Sequence, residues 1–267
     1  NTNLSVSIIA SAQQSSGQSF RFADCLFQRD NSYVEDIIAN TNKPQYSGHI
    51  NVRLAPGIIT MVKCTLRDDH MDKATVLTNF RSFSSPLVII GKNQLYNGQI
   101  GLQLSGINYV DFCNVDDNDF KFQINDAVRC EGYSPYFSKN RFALGAATTG
   151  LRLNSTNSFT IKGNTFENGA GGFDITDGSS APTTILKNIF KNGFANANRF
   201  VGSNNGVLLR CNSYENTGNN VVNVGMINNK QGSAALPTGN TFTDGSSNFD
   251  FISTAQNIAY FYDQNVA

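Results

Sequence analysis

The chain has no tryptophan and only two histidines, His49 and His70, in 267 residues. So little imidazole leaves few places for histidine-based acid–base chemistry, the commonest kind near neutral pH. His70 follows Asp68-Asp69, carboxylates able to orient an imidazole, but on a loop after Leu66 it reads as a solvated surface residue. Charge of one sign is also lacking: 20 Lys+Arg face 20 Asp+Glu, for a formal net charge of zero. This argues against a general nucleic-acid binder and against a protein held to anionic membranes by charge. No apolar run reaches the ~18 residues of a membrane-spanning helix, so no membrane insertion is expected. The cysteines (Cys25, Cys64, Cys113, Cys130, Cys211) are odd in number, widely spaced and without a C-x-x-C pair, which argues against zinc. Set among apolar residues, they read as small buried core residues, and they leave the redox compartment open. The chain opens Asn1-Thr2-Asn3 without a methionine, as expected of a mature or trimmed segment.

What is abundant is asparagine, 35 residues, together with 23 glycines. Both tolerate left-handed backbone and tight turns, so the composition implies many turns. No amphipathic helical stripe persists beyond about two turns, and the fold class is all-β. A repeat then organises the chain. Asn-x-aromatic occurs at Asn140, Asn164, Asn188 and Asn212, with three identical steps of 24 residues. Asn240 follows after 28, Asn118 precedes Asn140 by 22, and Asn93 precedes Asn118 by 25. Cys64-Thr65-Leu66 and Cys25-Leu26-Phe27 occupy the same slot with cysteine for asparagine, at wider steps of 29 and 39.

Each unit holds a short alternating run before the asparagine, a polar turn after it, and a second run such as Gly150-Leu151-Arg152-Leu153. Three short strands and three turns in about 24 residues make one coil of a single-stranded right-handed parallel β-helix. The asparagine has a physical reason. With coils stacked about 4.8 Å apart, its amide can bond the equivalent amide and the turn backbone of adjacent coils. The aromatic two residues later is expected to point inward and stack on its neighbours. Residues 57–250 are expected to form regular coils, 1–56 wider or irregular entry coils, and 251–267 a final coil or cap. Exposed end coils invite edge pairing unless covered, and Val34–Ile38 is a candidate cover.

The pattern of Gly-hydrophobic-x-hydrophobic, an alternating strand, then polar-Asn-x-Phe-x-Asn-Gly resembles the repeats of pectate-lyase-like right-handed β-helix proteins from about residue 57 onward. The stretch from Gly239 to Asn265 resembles the end of β-helix regions in large secreted surface proteins of Bacteroidota that leave by type IX secretion. The resemblance implies a substrate groove along the outer face of one parallel sheet. On that sheet the outward residues are expected to be Gln103, Arg129, Arg152, Asp174, Arg199 and Asn223, one per coil. Arg129, Arg152, Asp174 and Arg199 would form a ligand-binding track for an acidic polysaccharide, with Asp174 a candidate catalytic acid or base. The alternative is a surface ladder in which Asp174 relieves repulsion between arginines.

Asp116, Asp117 and Asp119, with Asp111 nearby, are candidate metal ligands because oxygen donors at that density suit Ca²⁺, which some lyases of this fold bind. An acidic turn also exists without an ion. Of the motifs that mark the family's polygalacturonase-type hydrolases, only Asp116-Asp117 is present, and Trp-dependent lyase motifs are excluded outright. Tyr96, Tyr109, Tyr133 and Tyr136 remain as aromatics suited to glycans. Two functions stay open. One is a non-catalytic extracellular or cell-surface module, an adhesin, glycan-binding segment or rigid stalk beside neighbouring domains of a larger protein. The other is a polysaccharide lyase or hydrolase in a groove walled by loops at 67–80, 126–137 and 176–182. Expected partners are an extracellular polysaccharide or cell-surface glycan, with no nucleic acid and no cofactor beyond Ca²⁺.

Overall fold

The computed structural model describes residues 6–9, 18–29, 48–54, 57–69, 76–82, 87–106, 112–156, 158–243 and 250–261. They form an all-β, right-handed solenoid of about seven turns with ~24 residues per coil. One coil reads Asp126–Glu131, Ser134–Ser138, Arg141–Ala143, and each of its strands joins a different parallel sheet. Sheet I has ten strands, sheet II eight and sheet III nine. Every strand in these sheets pairs with its counterpart one coil away, as Gln103↔Arg129↔Arg152↔Asp174↔Arg199 does in sheet I.

The core is a set of columns. Inward residues of sheet I (Leu102, Leu104, Val128, Cys130, Leu151, Leu153, Phe173, Ile175) have no exposed surface. From sheet III, Phe120, Phe142, Phe166, Phe190, Tyr214 and Phe242 stack with centroid spacings of 5.0, 4.6, 4.9, 5.1 and 5.1 Å. Burying one such ring contributes about 1.5–3 kcal/mol, so this column is a principal source of stability. It also explains the glycines that begin the sheet I runs. A Cβ on Gly172 would lie 2.6 Å from the Phe190 ring and from Ala197 O, and one on Gly150 would lie 2.8 Å from Phe166. Glycine leaves the room that the stacked rings occupy.

The ladder lies at the turn from sheet II to sheet III. Asn164 Nδ2 donates to Asn188 Oδ1 and to Phe137 O, each at 3.0 Å, while its Oδ1 accepts from Asn140 N and Nδ2, each at 3.0 Å. The same four-bond arrangement is present at Asn118, Asn140, Asn188 and Asn212. Asn93 extends it by receiving Cys64 N at 2.8 Å. Cys64 therefore holds the slot without passing the ladder on. At the other end Asn240 Nδ2 donates to Tyr260 Oη at 2.7 Å, which closes the column.

Just before each ladder residue the backbone enters the left-handed region, at Lys63, Lys92, Asp117, Lys139, Gly163, Lys187, Cys211 and Gly239. Such a conformation costs a non-glycine residue on the order of 1 kcal/mol, which the ladder bonds behind it offset. Cys64, Cys113 and Cys130 are buried as expected, but Cys25 is half-buried and Cys211 is exposed in this turn. Burial pushes the Cys64 thiol up to about 11 and those of Cys113 and Cys130 further, so these three remain protonated. Val34–Ile38, His70, Tyr109 and Asp111 lie outside the described residues.

Candidate functional sites on the outer faces

Sheet I carries the expected column. Gln103, Arg129, Arg152, Asp174 and Arg199 are in register, one per coil. One member differs: Val222, not Asn223, follows Arg199, and Asn223 turns inward with no exposed surface. The cause is that asparagine occupies inward positions here, Asn198 in the column of Phe173 and Asn223 in that of Phe200, where an apolar/polar alternation would have placed asparagine outside.

The arginines do not stand free. Arg129 donates from Nε and Nη2 to Asp126 Oδ2 at 3.0 and 2.5 Å, and Arg152 Nε reaches Asp126 Oδ1 at 3.0 Å. Asp174 Oδ2 is shared by Arg152 Nη1 at 3.4 Å and Arg199 Nη1 at 3.0 Å. The result is a continuous chain, Arg129–Asp126–Arg152–Asp174–Arg199. Asp126 begins its strand, its side chain only 1% exposed, and is the member that sequence reasoning missed. Its signal was an Asp three residues before an Arg on one strand, too common a spacing to single out.

The stretches expected to be groove-walling loops are partly strands. Val76–Ser82, Asp126–Glu131 and Ser134–Ser138 belong to sheets, so of residues 126–137 only the short turn at 132–133 is left as connection. Alternating inward residues such as Val128, Cys130 and Phe137 supply the core there and hold the backbone extended.

The aspartates around Asn118 are spread apart. Asp116 ends a sheet II strand and accepts from Ser138 Oγ. Asp117 is the left-handed turn residue, and Asp119 opens a sheet III strand and pairs with Lys121 at 2.6 Å. Among the described residues no group of three His, Cys, Asp or Glu is gathered that could hold a metal ion. His49 is buried against the first coils, with Nε2 3.1 Å from Arg67 O, and burial above all brings its pKa down to about 4. It lies beside the buried pair Arg29–Asp68, joined at 2.9 and 2.8 Å.

Sheet III carries a second ion-pair ladder. Arg141 and Lys191 flank Glu167 at 2.7 and 3.4 Å. Partial burial raises the Glu167 carboxyl pKa, and the two cations outweigh that and hold it below the usual range. Tyr96 lies on this face with Lys121 5.2 Å from its ring centroid, while Tyr133 is fully buried.

Sheet II presents a different face. Its outward row is Thr60, Ile89, Asn114, Tyr136, Thr160 and, on the next strand, Thr184. A shallow groove of about 410 Å³ runs over Tyr136, Thr160 and Thr184 beneath Phe112 and Pro182. It continues into a second depression of about 460 Å³ lined by Asn114, Asp116, Tyr136, Lys139, Lys162 and Lys187. The lysines come from the left-handed turns and the strand ends beside them. The fold is a three-sheet parallel β-solenoid whose outer faces are mostly polar, with exposed apolar residues such as Leu26, Ile58 and Phe112. Comparison with protein-family models, with curated proteins and with solved structures finds no match.

Proposed function

We propose that this chain is a non-catalytic β-helix module of a larger secreted or surface protein, a rigid rod that presents a glycan-binding face. The observation that carries the reading is the state of the sheet I carboxylates. Asp126 and Asp174, the acids an enzyme would use on that face, are each held between two guanidiniums. Their side chains are only 1% and 14% exposed and already engaged by arginines, so neither carboxylate is presented openly to a substrate lying on that face. Continuous stacking from coil to coil gives the rod its stiffness, and a stiff scaffold holds a binding face at low entropic cost. The resemblance to pectate-lyase-like repeats and to secreted Bacteroidota proteins supports the extracellular setting.

The test is a glycan array together with an absorbance assay for unsaturated uronate, on wild type and on Arg152→Ala and Asp174→Ala. Glycan binding without new absorbance supports the module. Absorbance that appears with wild type and is lost in the variants would make the chain a lyase and overturn this reading.

A further inference from the structure

Among the described residues, six cations on sheets I and III are paired, whereas three lysines at the turn beside sheet II are not. On sheets I and III, Arg129, Arg152, Arg199, Arg141, Lys191 and Lys121 each have a carboxylate within 3.4 Å. Along the turn from sheet II to sheet III, Lys139, Lys162 and Lys187 on three successive coils are exposed and have no carboxylate within ion-pairing distance among the described residues. Arg210 continues the line in register with Leu186, one position before the next turn, and likewise enters no ion pair there. Three lysines without ion pairs, in one line beside a groove, concentrate positive potential there.

The backbone fixes that line. Lys139 N donates to Lys162 O and Lys187 N to Arg210 O, so the turns are tied coil to coil and the lysine backbones follow the ~4.8 Å strand spacing, with Lys162 one position before the slot of the other two. The groove beside them offers the Tyr136 ring and the Thr160 and Thr184 hydroxyls, and the one carboxylate in its lining, Asp116, accepts from Ser138 Oγ.

We propose that the sheet II groove and its Lys139–Lys162–Lys187 edge bind an extended anionic glycan, whose carboxylates or sulfates meet the lysines while its sugar rings lie over Tyr136 and the threonine row. This rests on the module reading above and places its binding face on sheet II, since the sheet I arginines are already engaged by Asp126 and Asp174. A glycan suits the face better than a nucleic acid. The groove has two accessible aromatics, Tyr136 and Phe112, where single-stranded nucleic acid needs a longer series of stacking platforms, and the net charge is zero.

The experiment measures binding of polygalacturonate, dextran sulfate, unsubstituted dextran and single-stranded DNA to wild type, to Lys139→Gln/Lys162→Gln/Lys187→Gln and to the corresponding triple Lys→Arg variant. The lysines are exposed and unpaired, so both variants should melt with wild type. Binding of one or both anionic glycans but not dextran, weakened roughly tenfold or more in the Gln variant and retained in the Arg variant, is expected, since charge-assisted contacts are the strong ones at such a face. Which anionic glycan binds distinguishes carboxylate from sulfate recognition. Undiminished binding by the Gln variant would overturn the site but leave the module reading standing. Absence of anionic-glycan binding by wild type would also overturn the site and leave a structural rod. DNA bound as tightly as the glycans would overturn the ligand class. New uronate absorbance would overturn the module reading itself.

Discussion

Replacing Asn164 by alanine removes the middle rung of the ladder, and the cost follows from its bonds. Four hydrogen bonds disappear: two accepted from Asn140 N and Nδ2, one donated to Phe137 O and one to Asn188 Oδ1. All three asparagines in this stretch are at most 1% exposed, so water cannot take over the bonds. At about 1 kcal/mol net per bond, with the Asn140 amide left buried and unsatisfied, the loss comes to about 4 kcal/mol, above the ordinary range for one substitution. The effect should spread to neighbouring coils, because each Asn fixes the turn before it. Guanidinium unfolding followed by circular dichroism gives the global loss. Hydrogen exchange, read at the Asn140 and Arg141 amides, locates it and does not depend on two-state behaviour in a solenoid. Asn240→Ala, in the half-exposed last rung, should cost less. A loss below about 1 kcal/mol for Asn164→Ala, or one equal to that of Asn240→Ala, would refute the claim that the ladder holds these turns.

Gly172→Ala should destabilise by about 2 kcal/mol or more, because its Cβ meets both the Phe190 ring and the Ala197 carbonyl at 2.6 Å; thermal melting of the purified variant checks this. Asp126→Ala should cost more than Arg152→Ala, about 2 against about 1 kcal/mol, since it removes the buried anion shared by two guanidiniums whereas loss of Arg152 leaves Arg129 on Asp126; paired denaturant titrations decide the order. His49 makes stability depend on pH. Its folded pKa of about 4 lies below the unfolded 6.5, so the unfolded chain takes up the proton first. Its contribution is therefore complete above pH 6.5, falls as pH drops towards about 4, and levels off below, by up to about 3 kcal/mol in all. A His49→Gln variant should flatten the stability profile in that window.

The repeat was legible because its rungs are chemically unusual. An asparagine every 24 residues with a phenylalanine two positions on has one economical explanation, and it fixed the coil length, the ladder, the aromatic column and the outward set Arg129, Arg152, Asp174 and Arg199. The rest was hidden for physical reasons. Asn223 was misplaced because the solenoid tolerates polar residues inward when they find partners, as Asn198 does with the Tyr214 hydroxyl. Asp126 was missed because a buried acid at the head of a strand looks like any turn aspartate until the register sets two arginines over it. The Lys139–Lys162–Lys187 edge was missed because lysine is not expected in left-handed turns, and because the three are not equally spaced in sequence. Lys162 ends its strand while Lys139 and Lys187 begin the turn. Only the stacking of coils brings them into line.

The most direct test of the account is lysine footprinting in the presence of an anionic glycan. Acetylation of each lysine would be followed by mass spectrometry with and without polygalacturonate or dextran sulfate, at about 0.15 M salt so that only close charges are felt. The account predicts protection of Lys139, Lys162 and Lys187, with Lys121 and Lys191, already paired on sheet III, unchanged by the ligand. Protection spread evenly over all five lysines, or none at Lys139, Lys162 and Lys187 while a glycan is bound, would contradict it.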